Sequence, residues 1–237
     1  MFHHFPTTSW TLVAASSGQP DTQTRSSLET LCQTYWYPLY AFIRQKGYGA
    51  EEARDLTQEF FVRIIEGNHV QRADPHRGRF RSFLLASLKH FLYNQSDREQ
   101  ARKRGGGIAV IPLELTSAEE FYKREPRHDL TPEKIFERSW AVTLLDSVLS
   151  ELRQDFARAG KARQFERLMP LLTYDDAGIP YKQIAVEVGL SEAAVKVTVH
   201  RLRRRFHDRL RARIAETVAD PGQVEEEIRY LLTVFAA

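Results

Sequence analysis

Residues 181–205, YKQIAVEVGLSEAAVKVTVHRLRRR, contain two short amphipathic patterns joined by a Gly-Leu-Ser sequence at 189–191. Ile184, Ala185 and Val188 give the first pattern an apolar face, the glycine permits a tight turn, and the serine is a preferred helix N-cap. In the second pattern, apolar residues recur at spacings of four, three and four, at Val195, Val199, Leu202 and Phe206. The stretch therefore predicts a helix-turn-helix.

The other face of the second predicted helix carries polar and cationic side chains. In a DNA-binding helix-turn-helix, the first turns of the second helix meet base edges in the major groove, and later arginines meet phosphates. Ordinary helical hairpins share the apolar spacing, but the outward arginines favour DNA binding. At about 100° per residue, the outward residues are Ala193, Val197, His200, Arg201 and Arg204, with Lys196 and Arg203 on a flank.

The basic residues of this chain only slightly outnumber the acidic ones, but they are clustered along the sequence. The 237 residues include 34 basic and 31 acidic ones, a formal net charge of only +3. Residues 196–213 nevertheless hold eight basic residues against one acidic one, a local +7, and residues 77–104 hold eight against two, a local +6. Two separate basic segments suggest two contacts with a polyanion; two solvated helix faces are the alternative.

Composition and motif content exclude several classes of protein. Cys32 is the only cysteine, so no intrachain disulfide can form, and a reducing compartment is expected. The first residues lack a cationic secretory leader, and no apolar run approaches the roughly 20 residues of a membrane span. We therefore expect a cytoplasmic protein. RKRGGG at 102–107 lacks the Gly-Lys-Ser/Thr of a phosphate loop, and the histidines form no zinc motif. No enzymatic activity, cofactor or metal site is expected.

Helical periodicity dominates the chain, which predicts an all-α protein made of two small helical domains joined by a linker. Three consecutive glycines end the first domain, and Thr131 followed by Pro132 predicts the N-cap of the helix that opens the second. The expected parts are an N-terminal segment at 1–25, a helical domain at 26–104, a linker at 105–130, a helix-turn-helix domain at 131–213 and an acidic C-terminal extension at 214–237.

The third predicted helix, at 79–104, combines aromatic and basic residues. Lys89 and Tyr93 are predicted to face away from the core. There the tyrosine ring can stack on an unpaired base of a nucleic acid, and the lysine can contact the phosphate backbone of the same strand. Packing of Phe83 and Tyr93 against neighbouring helices is the alternative. The predicted inward residues are Phe80, Leu84, Leu88 and Phe91.

The second predicted helix, containing DLTQEFFVRII, has an acidic face. Because acidic residues repel DNA, this face fits a basic or helical protein partner; a solvated surface is the alternative. The predicted inward residues are Ala53, Leu56, Phe60 and Ile64, and the outward ones are Asp55, Gln58, Glu59, Val62 and Glu66.

The order of DLTQEFF, the aromatic and basic third helix, a linker and the helix-turn-helix resembles the bacterial RNA polymerase sigma factors of the sigma-seventy family. The lack of other domains makes the chain similar to the extracytoplasmic function (ECF) group. The resemblance covers roughly 28–104, the family's region two, and 141–208, its region four. It implies a transcription initiation factor that binds core RNA polymerase and both duplex and melted promoter DNA, with an anti-sigma factor as a candidate partner. A free-standing helix-turn-helix regulator that binds duplex DNA as a dimer is the alternative.

The resemblance also implies roles for individual residues. Polymerase would be bound by Asp55, Gln58, Glu59 and Val62. The downstream promoter element, including a flipped base, would be contacted by Arg79, Arg81, Phe83, Lys89, His90, Tyr93, Asn94 and Arg98. The upstream promoter element would be contacted by Ser191, Glu192, Ala193, Lys196, Val197, His200, Arg201, Arg203 and Arg204.

Three features depart from the family pattern. His90 and Asn94 stand where many ECF proteins have Asn and Asp. The segment 150–178 is longer and more charged than the usual segment of the family. A C-terminal extension with a net charge of −4 follows the predicted helix-turn-helix. Asp220-Pro221 predicts the start of a helix in this extension, with an apolar stripe. Either this helix regulates the protein by covering arginines of the recognition helix, or it completes the core of the second domain and its glutamates are solvated. The stripe consists of Val224, Ile228, Leu231 and Phe235.

Overall fold

The computed structural model describes residues 22–66, 79–101, 119, 122, 130–172, 181–215, 217–218 and 220–236. These residues form helices and turns without a strand among them, which confirms the all-α class. None of the helices described is both long enough and apolar enough to cross a membrane. The helices are α1 Thr22–Gln45, α2 Ala50–Glu66, α3 Phe80–Ala101, α4 Pro132–Arg158, α5 Ala162–Leu168, a 3₁₀ helix Met169–Leu172, α6 Tyr181–Val188, α7 Glu192–Ala215, a 3₁₀ helix Pro221–Gln223 and α8 Val224–Ala236.

The chain divides into two compact units. The first combines the chain up to Thr143 with the segment from Ile214 onward, and the second is Leu144–Arg213. The division differs from the expected boundary near residue 131, because the first turns of α4 share a core with α3. The guanidinium of Arg81 in α3 lies 4.4 Å from the ring centroid of the buried Trp140 in α4.

Aromatic rings from α1, α2 and α3 form much of the core of the first unit. Trp36 stacks on Phe61 with ring centroids 5.9 Å apart, and Phe60 lies 5.7 Å from Phe91. Every residue predicted to face inward on α2 and α3 is buried, which confirms the periodicity of both helices. These residues are Ala53, Leu56, Phe60, Ile64, Phe80, Leu84, Leu88 and Phe91.

Glu119 and Tyr122 show that part of the expected linker packs against α1. The Nε and Nη2 atoms of Arg44 lie 3.2 Å from the Glu119 carboxylate oxygens, and the Tyr40 hydroxyl donates to the same carboxylate. Burial, followed by the hydrogen bond to Glu119, raises the pKa of Tyr40 well above its ordinary value, so Tyr40 stays a donor. The other residues of 105–129 lie outside the described part of the chain.

The start of α4 confirms the predicted cap, because the Thr131 Oγ1 accepts a hydrogen bond from the Lys134 amide at 3.4 Å. The helix then supplies an apolar stripe with a member at every fourth residue, and all of its members are buried. In the second unit, α5 packs against the end of α4, where Phe156 and Phe165 have ring centroids 5.3 Å apart. The buried stripe residues are Phe136, Trp140, Leu144, Val148 and Leu152.

Candidate nucleic-acid interface

The turn between α6 and α7 is set by two complementary caps. Gly189 has a φ of +67°, and its amide donates to the Val186 carbonyl at 3.4 Å while the Leu190 amide donates to the Ala185 carbonyl at 3.0 Å. This pair of bonds ends α6 in a left-handed glycine cap. The Ser191 Oγ then accepts from the Ala194 amide at 3.2 Å and caps α7. Two helices joined by a glycine turn and a serine cap therefore lie where the sequence predicts them.

The two faces of α7 lie as predicted. Val195, Val199 and Leu202 are buried, and Phe206 is half-buried. The solvent side of α7 therefore presents Ala193, Val197 and a lysine in its first turns and cationic side chains in the following turns. The exposed residues are Ala193, Lys196, Val197, His200, Arg201 and Arg204.

Glu192 and Lys196 form an exposed ion pair at the start of α7. The Lys196 Nζ lies 2.8 Å from the Glu192 Oε1 and 5.7 Å from the ring centroid of Tyr181 in α6. The hydrogen bond between the two side chains lowers the pKa of Glu192 and raises the pKa of Lys196. The lysine is thus fully charged at neutral pH and is held at the edge of the exposed face.

Several arginines in the basic segment 196–213 make contacts within the second unit. Arg203, expected to contact DNA, donates through Nε and Nη2 to the Leu171 carbonyl at 3.0 and 2.7 Å. The half-buried guanidinium of Arg203 is thus bound to the 3₁₀ helix Met169–Leu172. The prediction that Arg203 contacts DNA is therefore wrong, and the residue has a structural role. Arg205 and Arg209 pair with Asp155, and Arg213 pairs with Glu151.

A second polar face lies along α3 in the first unit. Lys89, His90, Tyr93 and Asn94 are exposed, and the Lys89 Nζ lies 2.7 Å from the Glu133 Oε1. This hydrogen bond lowers the pKa of Glu133. Tyr93 is 71% exposed, which excludes the packed alternative for this ring.

Phe83 does pack against its neighbours. It is half-buried, with its ring centroid 6.0 Å from that of Phe80. Of the other expected contacts on this helix, the side chain of Arg98 lies outside the part of the chain that the structure describes, as does that of Glu66 on α2.

A cavity of about 340 Å³ opens beside this face. Phe60 and Phe91 contribute aromatic walls, and His90 and Asn94 contribute polar groups. The guanidinium of Arg63, which also lines the cavity, lies 4.8 Å from the ring centroid of Phe91. Aromatic walls with polar groups are suited to a flat heteroaromatic ligand such as a nucleobase.

Arg81, also expected to contact DNA, lies inside the first unit. It is 2% exposed, its Nε lies 2.7 Å from the Glu137 Oε2, and it forms a second ion pair with Glu227 of α8. A guanidinium enclosed in this way cannot reach a DNA strand, so Arg81 is removed from the candidate set.

Arg79 is held by the same helix, although it is less buried. Its Nε lies 2.8 Å from the Glu227 Oε2, and its Nη2 lies 3.6 Å from the Glu226 Oε1. Glu227 was not foreseen as a core residue. The only indication in the sequence is its position one turn after Val224 and one turn before Leu231, on the inward stripe.

The acidic face of α2 is most accessible near its start. Glu51, Glu52 and Asp55 are exposed, whereas Gln58, Glu59 and Val62 are half-buried. Glu59 pairs with Arg63 one turn later. Asp55 is therefore the member of the expected set whose carboxylate is best placed to meet a partner protein.

Within the described residues, no group of three or more His, Cys, Asp or Glu side chains is arranged to hold a metal ion. Comparisons of the chain with known protein families, with curated proteins and with solved structures found no match.

Proposed function

We propose that this chain is a sigma factor: it binds core RNA polymerase and directs promoter recognition, DNA melting and transcription initiation. The observation that carries the proposal is the presence in one chain of two chemically different exposed faces, each with cationic side chains. The face on α7 fits a duplex, and the face on α3 fits unpaired bases.

The α7 face supports binding to the major groove of duplex DNA. Its first turns offer small and medium side chains together with Lys196, so the helix backbone can approach base edges closely. Arg201 and Arg204 continue the same face one and two turns beyond Val197, where long cationic side chains reach phosphates. In this proposal α7 reads the upstream promoter element.

The α3 face supports binding to a melted strand. The exposed ring of Tyr93 offers a stacking platform, and Lys89 supplies a cation to the strand. His90 and Asn94 belong both to the exposed face and to the cavity wall. A base turned out of the stack can therefore enter the cavity while its neighbours follow the helix. In this proposal α3 holds the downstream promoter element.

The acidic start of α2 supports a protein partner. Its carboxylates belong to a unit that otherwise offers cations to nucleic acid, and charge complementarity directs such a surface toward a basic partner. We assign this surface to core polymerase. A free-standing regulator of duplex DNA has no use for either the α2 or the α3 surface.

A melting assay tests the proposal. Bacterial core polymerase is mixed with the full-length protein, duplexes are selected from a random pool, and permanganate is used to detect unpaired thymines on the recovered DNA. We expect an opened segment that requires both proteins. Tyr93→Ala should retain duplex binding but lose opening, and Tyr93→Phe should retain both, because the ring alone provides stacking. Duplex binding without polymerase and without opening would instead identify a free-standing regulator.

A further inference from the structure

Val197 is an exposed aliphatic side chain on a face that is otherwise polar beyond its first turn. It is 50% exposed in the second turn of α7. Most other aliphatic residues on this helix, including Val195 and Val199, are buried. Packing of the second unit therefore gives no reason for the outward position of Val197.

Local helix stability does not explain Val197 either. A β-branched residue loses side-chain rotamer freedom in a helix, and alanine or a long polar residue at an exposed site is more favourable. Ala193 lies one turn earlier on the same face and is also exposed. The two residues form an apolar strip. The ion pair of Glu192 and Lys196 lies beside this strip, and Arg201 follows Val197 one turn later on the same face of the helix.

We infer that Val197 and Ala193 form a contact surface for the 5-methyl groups of thymine, so that the upstream duplex element bound by α7 contains thymine opposite these residues. The inference rests on the proposed function and specifies its ligand. In the major groove, the thymine methyl is the apolar group that base pairs present, and small aliphatic side chains contact it. Arginine or asparagine would be expected at the same position if guanine or adenine were read there.

The charges around the strip favour DNA over an apolar protein surface. Arg201 and Arg204 follow Val197 along the same stripe and are exposed. An apolar protein partner seated on Val197 would have to desolvate these guanidinium groups, which is unfavourable without paired anions. DNA supplies both the methyl group and the phosphates.

The test uses duplexes selected from a random pool by the full-length protein together with bacterial core polymerase. Each enriched thymine is replaced singly by deoxyuridine, which removes the methyl and leaves the hydrogen-bonding edge unchanged. For the wild type, we expect a roughly fourfold loss of affinity at one or two positions, the effect of withdrawing one methyl group from contact. For Val197→Ala, the loss at one of these positions should vanish.

Two further variants provide controls. Val186→Ala removes the same atoms from a valine of α6 that is 80% exposed, and it should keep the deoxyuridine effect of the wild type. Val197→Thr keeps one methyl group and the β-branched shape, and it should keep part of the effect. All three variants change exposed positions, so helical content by circular dichroism should stay unchanged.

The outcomes separate this inference from the proposed function. Specific binding in which thymine and deoxyuridine are equivalent would overturn the inference and leave the sigma-factor proposal standing. The same holds if the deoxyuridine effect persists in Val197→Ala, since another residue would then contact the methyl. Failure of the protein and polymerase to select any duplex would overturn both.

Discussion

Glu227 of α8 and Arg81 of α3 form an ion pair in which both side chains are almost fully buried, at 0% and 2% exposure. Arg79 approaches the same carboxylate from the side, and Glu137 shares Arg81. Two arginines and two glutamates thus balance their charges inside the first unit. Glu227 is therefore buried in the first unit and is not solvated as the core-completion expectation for the extension had it. Regulation of the recognition helix by the extension stays a prediction.

Replacing Glu227 by Gln should destabilise the first unit by about 3 kcal/mol, because Arg79 and Arg81 would lose a buried counter-charge. The free energy of unfolding is obtained from urea denaturation followed by circular dichroism. Glu226→Gln is the matched control: its carboxylate is largely exposed, so its loss should be below about 1 kcal/mol. Equal losses in the two variants would show that the buried pair does not stabilise the fold.

Leu231 and Leu232 provide a second test of α8, since they are adjacent in sequence but only Leu231 is buried. Leu231→Ala should cost about 2–5 kcal/mol, and Leu232→Ala should change stability by no more than about 0.5 kcal/mol. Deletion of 219–237 should reduce stability further and should not increase affinity for DNA. A stable truncated protein that binds DNA more tightly would instead support the regulatory hypothesis.

The sequence predicted the helices well because their apolar residues recur at clear helical spacings. The inward residues of α2 and α3 are buried as expected, as are those of α7 except the half-buried Phe206. Thr131, Gly189 and Ser191 act as the turn and cap residues that their chemistry suggests. The division into units was not predictable in the same way. Periodicity shows which face of α4 is buried, but it does not show which neighbour covers each turn.

Val197 and Val199 test the orientation of the recognition helix, since they are two positions apart and lie on opposite faces. Val199→Asp should unfold the second unit, because a carboxylate without a partner would be buried at a site that is 2% exposed. Val197→Asp should fold normally and lose DNA binding, because it places a negative charge toward the groove. A folded Val199→Asp variant would show that the outer face has been assigned wrongly.

Replacement of Arg201 should affect DNA binding, whereas replacement of Arg203 should affect the stability of the second unit. Arg201→Ala should weaken specific DNA binding by roughly 1–3 kcal/mol if the side chain reads a base, or lower affinity uniformly across sequences if it contacts phosphate. Arg203→Ala should instead reduce the stability of the second unit by about 1.5–3 kcal/mol, since the Leu171 carbonyl loses a charged donor. Binding isotherms at several salt concentrations and urea denaturation separate the two effects, and a reversed pattern would contradict the assignment.

The candidate site could be foreseen only in part, for a physical reason. Helical periodicity places Tyr93 and Arg201 on outer faces without knowledge of the tertiary structure, and both are exposed. Arg81 and Arg203 carry the same charge as the exposed Arg201, and they too lie among basic residues in the sequence. Their partners, Glu227 and the Leu171 carbonyl, come from distant segments. A local basic cluster therefore predicts an electrostatic surface, but tertiary pairing decides which of its arginines remain available.

Run-off transcription with bacterial core polymerase shows whether the chain is a sigma factor, on templates selected by the full-length protein with the polymerase. We expect a discrete transcript that requires both proteins. Asp55→Lys should abolish this transcript and the co-purification with polymerase, because it reverses the exposed charge assigned to docking. Its helical content should stay unchanged, and Glu166→Lys, a charge reversal on α5, should retain both activities. Normal polymerase binding and transcription by Asp55→Lys would refute the docking surface. If the wild type binds the selected duplexes alone and yields no transcript with polymerase, the sigma-factor account is contradicted.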